Sequence, residues 1–298
     1  MQTFAPIALF VYNRPEHTRR TLKFLGQNRL AEESRLFIFS DAAAGEAQVS
    51  AVEEVRELIR TTEGFRSVEI IERERNLGLA ASVIDGVTRI LNEYGKILVF
   101  EDDLISSPHT LEYFNDALER YRDQNRVMHI GAYMYPLPKG LPETFFYRAA
   151  TSWGWATWKR AWDHFEPDID VLMDRFDKKK IHDFSIDGTM DFWRQMKQFK
   201  AGKNNSWAIR WYASIFLKNG LTLNPSQSLI NNIGHDNTGV HSGLNDMYQV
   251  TVNQNRITKF PMVIQEDLQA YQAIRHFLKN RKGSWAKRII RFIRQRMN

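Results

Sequence analysis

The sequence predicts an α/β domain built on a doubly wound, mostly parallel sheet with helices on both faces. Three observations carry this. Short apolar runs recur in the first 135 residues with starts about thirty residues apart. Helical periodicities fill the gaps between them. Each gap holds a single helix, and a strand–helix–strand crossover makes the flanking strands parallel.

The strand runs are Pro6–Tyr12, Leu36–Ser40, Val68–Glu72, Ile97–Phe100 and Val127–Ile130. Each is too short for a helix, and several are rich in β-branched or aromatic residues. Val52, Val55 and Ile59 share one helical face, as do Leu79, Val83, Val87 and Ile90, and then Leu111, Phe114, Leu118 and Tyr121. Ser107 as N-cap and Pro108 at the first helical position predict where this third helix starts. Beyond residue 136 the alternation stops at Pro136, Pro138 and Pro142. Trp155, Trp158 and Trp162 then stand at i, i+3 and i+7, which predicts a buried helical stripe. Helices are expected over Met190–Phe199 and Ala208–Lys218, the second stopped by Asn219-Gly220. Trp207 and Trp211 on it are core positions. The organisation predicted is a nucleotide-binding sheet half (1–135), a half completing the same domain (136–267) and a basic amphipathic tail (268–298).

Composition narrows the function. Of 298 residues, 43% are hydrophobic and 26% charged, which excludes a disordered chain. The absence of cysteine excludes disulfides, thiolate zinc sites, iron–sulfur clusters and a cysteine nucleophile, and fits a reducing compartment. No apolar run has the length of a membrane span, and no signal peptide is evident, so a cytoplasmic location is expected. The net charge of +6 is unevenly placed. Residues 268–298 hold nine Lys or Arg and no acid, whereas the other 267 residues carry 32 basic against 35 acidic side chains. Trp285, Ile289, Phe292 and Ile293 share a face of a predicted helix over Ser284–Asn298, with Lys287, Arg288, Arg291 and Arg294 around it. That pattern predicts peripheral attachment to an anionic membrane surface, at the inner face of the cell membrane; the alternative is a basic helix packed on the domain. No nucleic-acid partner is expected, because the body is net acidic and shows no basic–aromatic groove.

Ligands of open α/β sheets bind beyond the carboxyl ends of the strands. The residues there are Tyr12-Asn13-Arg14-Pro15, Asp41, Arg75-Asn76-Leu77-Gly78 and Glu101-Asp102-Asp103. No G-x-G-x-x-G or Walker A sequence follows a strand, which argues against a dinucleotide enzyme or a P-loop NTPase. Three successive carboxylates leaving a buried strand repel one another unless solvent or a cation screens them. Mg²⁺ or Mn²⁺ suits such oxygen ligands; the alternative is acids favoured near a helix N-terminus.

The ordered set Phe10-Val11-Tyr12-Asn13-Arg14-Pro15, Ser40-Asp41, Asn76-Leu77-Gly78-Leu79, Val99-Phe100-Glu101-Asp102-Asp103-Leu104, Ser107-Pro108 and Tyr113-Phe114 resembles GT-A-fold glycosyltransferases. It is similar to family-2-like bacterial sugar transferases and to the animal N-acetylglucosaminyltransferase that starts complex N-glycans. The resemblance implies a variant D-x-D motif in which Asp103 is the metal ligand, while Glu101 and Asp102 face the nucleotide sugar. Tyr12, Asn13, Arg14, Asp41, Asn76 and Gly78 fall where the nucleotide is held. Ser152-Trp153-Gly154-Trp155 with Trp162, and Pro225 to Gly243, resemble the acceptor-side and closing-loop regions. His241 and Ser242 match positions that contact the diphosphate or metal. Trp153, outside the predicted stripe, offers a flat apolar surface to an acceptor sugar.

The expected activity is an inverting, Mn²⁺- or Mg²⁺-dependent hexosyl or N-acetylhexosaminyl transfer from a UDP-linked donor. The expected acceptor is a glycan or lipid-linked glycan of bacterial surface polysaccharide. The stretch matching the relatives' catalytic base, Ser206–Trp211, contains no acid. Asp191, Asp187 and Asp236 are the local alternatives, with Asp191 favoured because it opens a helix. The competing readings are a sugar-phosphate nucleotidyltransferase, whose Gly-rich loop is missing after the first strand, and a non-catalytic glycan-binding protein.

Overall fold

The computed structural model describes residues 4–234 and 248–280. Its first half alternates as predicted: β1 (Ile7–Val11), α1 (Pro15–Gly26), β2 (Arg35–Ser40), α2 (Glu46–Arg60), β3 (Ser67–Glu72), α3 (Leu79–Tyr94) and β4 (Lys96–Glu101). A short β5 (Leu104–Ser106) precedes α4 (Thr110–Arg120) and β6 (Val127–Gly131). Then come β7 (Thr144–Tyr147), β8 (Trp155–Trp158), α5 (Lys159–Trp162), α6 (Ile169–Met173), α7 (Lys178–Phe184), α8 (Phe192–Lys200) and α9 (Trp207–Leu217). β9 (Leu221–Pro225), β10 (Ile230–Asn232) and α10 (Leu268–Asn280) follow.

Eight strands form one sheet in the order β3-β2-β1-β4-β8-β6-β9-β7. β3, β2, β1 and β4 pair in parallel, as do β6 and β9. β8 runs antiparallel between β4 and β6, and β7 antiparallel beside β9. Successive residues of a strand point to opposite faces. Ile7, Leu9 and Val11 therefore meet Leu25 of α1, Ile59 of α2 and Phe114 of α4, whereas Ala8 and Phe10 meet Val83 and Val87 of α3. Both faces are covered over the central strands β1, β2 and β4, which are accordingly apolar along nearly their whole length, whereas edge strand β3 alternates Val68 and Ile70 with exposed Ser67 and Glu69. At Gly86, where α3 crosses β1, a Cβ would lie 2.9 Å from the Phe10 ring, so the close approach of helix to sheet requires glycine. A third cluster packs Ala270, Tyr271, Ile274 and Leu278 of α10 on Phe145, Phe184 and Tyr212.

Three expectations need correction. The tryptophan stripe is core but not one helix: Trp155 and Trp158 lie on β8, hydrogen-bonded to strands on both sides, and only Trp162 is helical. Three residues apart on a strand means opposite faces. Trp155 thus stacks with Trp207 at 5.2 Å, while Trp158 donates its indole N–H to the Leu118 carbonyl on the other face. The third helix begins at Thr110, because residues 107–109 form a turn closed by the Thr110 N–H on the Ser107 carbonyl. The start of the basic tail is a packed helix, α10. The helix predicted over Ser284–Asn298 lies outside the described residues, among which no helix is long and apolar enough to cross a membrane.

His129 on β6 is fully buried, lies parallel to Trp155 at 5.4 Å, and accepts the Trp211 indole N–H on Nδ1 at 3.2 Å. Burial pushes its pKa down to about 3, against a smaller upward pull from the Thr151 backbone. In the unfolded chain the ring protonates near pH 6.5. The unfolded state therefore binds more protons across that window, and stability is full above pH 6.5 and falls as the pH drops. His129→Gln keeps an acceptor for Trp211 but does not titrate. In urea unfolding, wild type should lose about 2 kcal/mol more than this variant between pH 7 and pH 5. Equal losses would show that His129 does not set the acid limit.

Candidate functional site

The parallel register brings the carboxyl ends of β1, β2, β3 and β4 to one edge. Val11 lies level with Ser40, Ser40 with Glu72, and Phe10 with Glu101. Tyr12–Arg14, Asp41, residues 73–78 and Glu101–Asp103 thus emerge side by side, as the sequence predicts.

Arg14 is the residue before α1, and Pro15 at the helix start keeps it out of the helical region, with φ −122° and ψ 77°. From there its guanidinium grips Asp102 through Nε and Nη2, and Nη2 also donates to Asp103 Oδ2 at 3.0 Å. One turn of chain joins these acids, and Thr21 of α1 pins it. The Thr21 hydroxyl donates to the Asp102 carbonyl at 2.8 Å and accepts the Leu104 N–H at 3.1 Å.

β10 closes the site from the other side by pairing antiparallel with β5. Asn232 donates its amide to Asp103 Oδ1 at 3.2 Å, and the Ile233 N–H donates to the Asp103 carbonyl at 2.9 Å. The Gly234 N–H returns to Asn232 Oδ1 at 2.8 Å and so fixes the amide's orientation. A Cβ on Gly234 would collide with Asp103 Oδ2 and crowd Arg14, so only glycine lets the backbone lie on this pair.

The electrostatics follow from enclosing three acids with one guanidinium. Burial, then Asp103 and Asp102, push the Glu101 pKa up to about 8. Burial pushes Asp102 up to about 6, with Arg14 opposing. Asp102 and Asp103 share Arg14.

The triplet is not a three-carboxylate cage. Among the described residues, the group of three ligand atoms within 4.8 Å is His182, Asp183 and Asp187, where Lys179, Arg148 and Arg275 already pair with the acids. Asp103 is the residue of the triplet that would hold a divalent cation: its side chain is 12% exposed against 6% for Asp102, and one or two carboxylates with substrate phosphates suffice for Mg²⁺ or Mn²⁺.

Asp41 has a backbone task. Its carboxylate accepts the N–H groups of Ala42 at 3.0 Å, Leu77 at 2.9 Å and Gly78 at 2.9 Å, tying the loop after β3 to the end of β2. Asn76 donates to the Ala42 carbonyl, Tyr12 accepts the Ala44 N–H on its hydroxyl, and Asn13 is half-buried beside them. Gly78, at φ 74°, turns the chain into α3.

Trp153 sits edge-on to Tyr133 at 4.5 Å and to Tyr248 at 6.2 Å, partly buried at the same edge. Asp191 caps α8 by accepting the Arg194 N–H at 3.1 Å and is exposed; no contact described here joins it to the triplet. His241, Ser242 and Asp236 lie outside the described residues. The sequence did not single out Thr21 or Asn232, whereas Gly234 falls within the segment from Pro225 to Gly243 expected to form the closing-loop region. Thr21 had a signal, since it stands seven positions after Arg14 on the same helical face.

No family model and no curated protein matches the chain. Among solved structures it is similar to the mannosyltransferase PcManGT from Pyrobaculum calidifontis, in complex with GDP-Man and Mn²⁺, at 12% identity over 72% of this chain and 70% of that one, with a TM-score of 0.36. Mouse xyloside xylosyltransferase 1 gives 13% identity over 71% and 80%, with a TM-score of 0.38. S. aureus TarS gives 16% over 49% of this chain and 24% of its own length, with a TM-score of 0.30. Overlaps this partial carry no argument about this chain's reaction. The mostly parallel, helix-flanked sheet is itself the α/β class that the GT-A resemblance implies.

Asp41→Ala leaves three half-buried backbone N–H groups without their acceptor, so it should lower stability by about 1–3 kcal/mol in urea unfolding. Asp41→Asn, which keeps one oxygen, should lose less. Equal stability of Asp41→Ala and wild type would show that the carboxylate does not hold the loop.

Proposed function

We propose that the chain is a metal-dependent glycosyltransferase that moves a sugar from a nucleotide-sugar donor, UDP-linked, to a hydroxyl of a glycan or lipid-linked glycan. The observation that carries this reading is the meeting of Arg14, Asp102, Asp103 and the Asn232–Gly234 backbone at the carboxyl edge of a parallel sheet. Glycosyl transfer expels a nucleoside diphosphate, and its rate depends on how well that anion is stabilised. Asp103 would hold Mn²⁺ or Mg²⁺, which when bound supplies Lewis-acid stabilisation of the leaving diphosphate. Arg14 offers the planar donor fork suited to phosphate. Glu101 and Asp102 face the nucleotide. Asp41 holds the loops carrying Tyr12, Asn13, Asn76 and Gly78 around the base. The resemblance assigns His241 and Ser242, outside the described residues, to the diphosphate.

On the acceptor side, Trp153 provides the sugar platform and Asp191 the base of an inverting reaction. Asp187 is less suited, since Arg148 and Arg275 both engage it. Phe277 of α10 stacks on Tyr135 at 5.0 Å, just past the carboxyl end of β6, so α10 runs toward the site's edge. A membrane-bound acceptor, as in bacterial surface-polysaccharide synthesis, is the reading we propose, with the basic segment after Asn280 as its membrane contact.

Three measurements test the proposal. Incubation with UDP-sugars and Mn²⁺ should release UDP, and EDTA should stop it; a glycan-binding protein would release none. Asp103→Ala should fold normally and lose Mn²⁺-dependent UDP binding, and retention of that binding at wild-type strength removes Asp103 as ligand. With an acceptor in hand, Asp191→Asn should cut turnover about 10²–10⁴-fold while donor affinity holds. Unchanged turnover removes Asp191 as the base.

A further inference from the structure

We propose that Arg14 is an exchangeable counter-cation. It neutralises Asp102 and Asp103 in the free chain, and it leaves Asp103 for the donor's diphosphate when a divalent cation is held there. This rests on the glycosyltransferase reading and deepens it, because it makes metal and donor binding depend on one another through a single side chain.

The geometry is unequal in a way that favours exchange. Arg14 meets Asp102 with two nitrogens, but reaches Asp103 with one N–H, Nη2 on Oδ2 at 3.0 Å. Breaking the second contact leaves the first in place. Asp103 does not swing when released, because Oδ1 is held by the Asn232 amide and the main chain by the Ile233 N–H. Oδ2 is therefore the atom that changes partner. A divalent cation and a guanidinium on one carboxylate oxygen repel each other across a few ångströms, in a setting where Arg14 is only 17% exposed and solvent screening is weak. A diphosphate resolves that conflict by giving the guanidinium a second anion that it can bind in bidentate fashion. Gly234 has no side chain in the way of this movement.

Linkage then fixes the consequence. Mn²⁺ alone meets a site whose key oxygen is already taken. UDP removes the competitor, so each ligand raises the other's affinity by the same factor.

The test is Mn²⁺ binding followed by the electron paramagnetic resonance of free Mn²⁺, with and without UDP, in wild type, Arg14→Gln and Arg14→Lys. Arg14→Gln should bind Mn²⁺ alone about 10-fold more tightly than wild type, the scale on which one neighbouring like charge acts. Its coupling to UDP should fall by a similar factor. Arg14→Lys keeps the charge and should bind Mn²⁺ alone as wild type does. Unchanged or weaker Mn²⁺ binding in a folded Arg14→Gln overturns the exchange while leaving the glycosyltransferase reading intact. In the unmodified chain, independent binding of Mn²⁺ and UDP overturns it as well, whether or not the Gln variant folds. A wild type that binds neither Mn²⁺ nor UDP overturns the functional reading and the exchange with it.

Discussion

Three carboxylates in succession at the end of a buried strand can stand there only with a cation among them, because an unpaired buried charge costs several kcal/mol. Arg14 is that cation, and much of the local structure exists to place it. Pro15 fixes its backbone at the mouth of α1. Thr21 holds the turn that presents Asp102 and Asp103. β10 lays its backbone over the pair at the one position without a side chain. Each of these contacts crosses between elements far apart in sequence, so the charge cluster also staples β1, α1, β4 and β10 together.

The sheet beneath is rigid for a different reason. Its strands are covered on both faces, with aliphatic and phenylalanine packing toward α1, α2 and α4, and a tryptophan-rich layer toward α3, α5 and α9. Trp155 stacks on a histidine that burial keeps neutral, Trp211 donates a hydrogen bond to it, Trp162 packs against both of these tryptophans, and Trp207 packs against Trp155. Close packing of this kind lets a site at the strand ends keep its geometry without help from solvent.

The alternating half was legible in the sequence because one physical rule, burial on both faces, wrote continuous apolar runs at a regular interval. The residues after each strand were legible for the same reason, since topology alone brings Arg14, Asp41 and Asp103 to one edge. What failed was the region after residue 136. The spacing of Trp155 and Trp158 fits a helix as well as a strand, and the pairing that decides between them comes from β4 and β6, far away in sequence. Asn232 gave no signal, because an Asn-rich stretch looks like any loop until its partner strand is known, and Gly234 was legible only as part of a closing loop and not as a backbone contact with Asp103. Asp41 shows a subtler limit: its position was legible, but its three backbone partners were not.

β8 is also the strand that closes the sheet. β4 pairs with β1 on one side and, on the other, only with a segment about sixty residues further along the chain. During synthesis, Ile97, Leu98, Val99 and Phe100 therefore wait as an open apolar edge until Trp155–Trp158 emerges. Such edges recruit other chains as readily as their own. A product truncated between β6 and β8 would retain every strand of the parallel half and still be prone to aggregate. The two halves of the chain are one folding unit, and the strand joining them is among the last to be made.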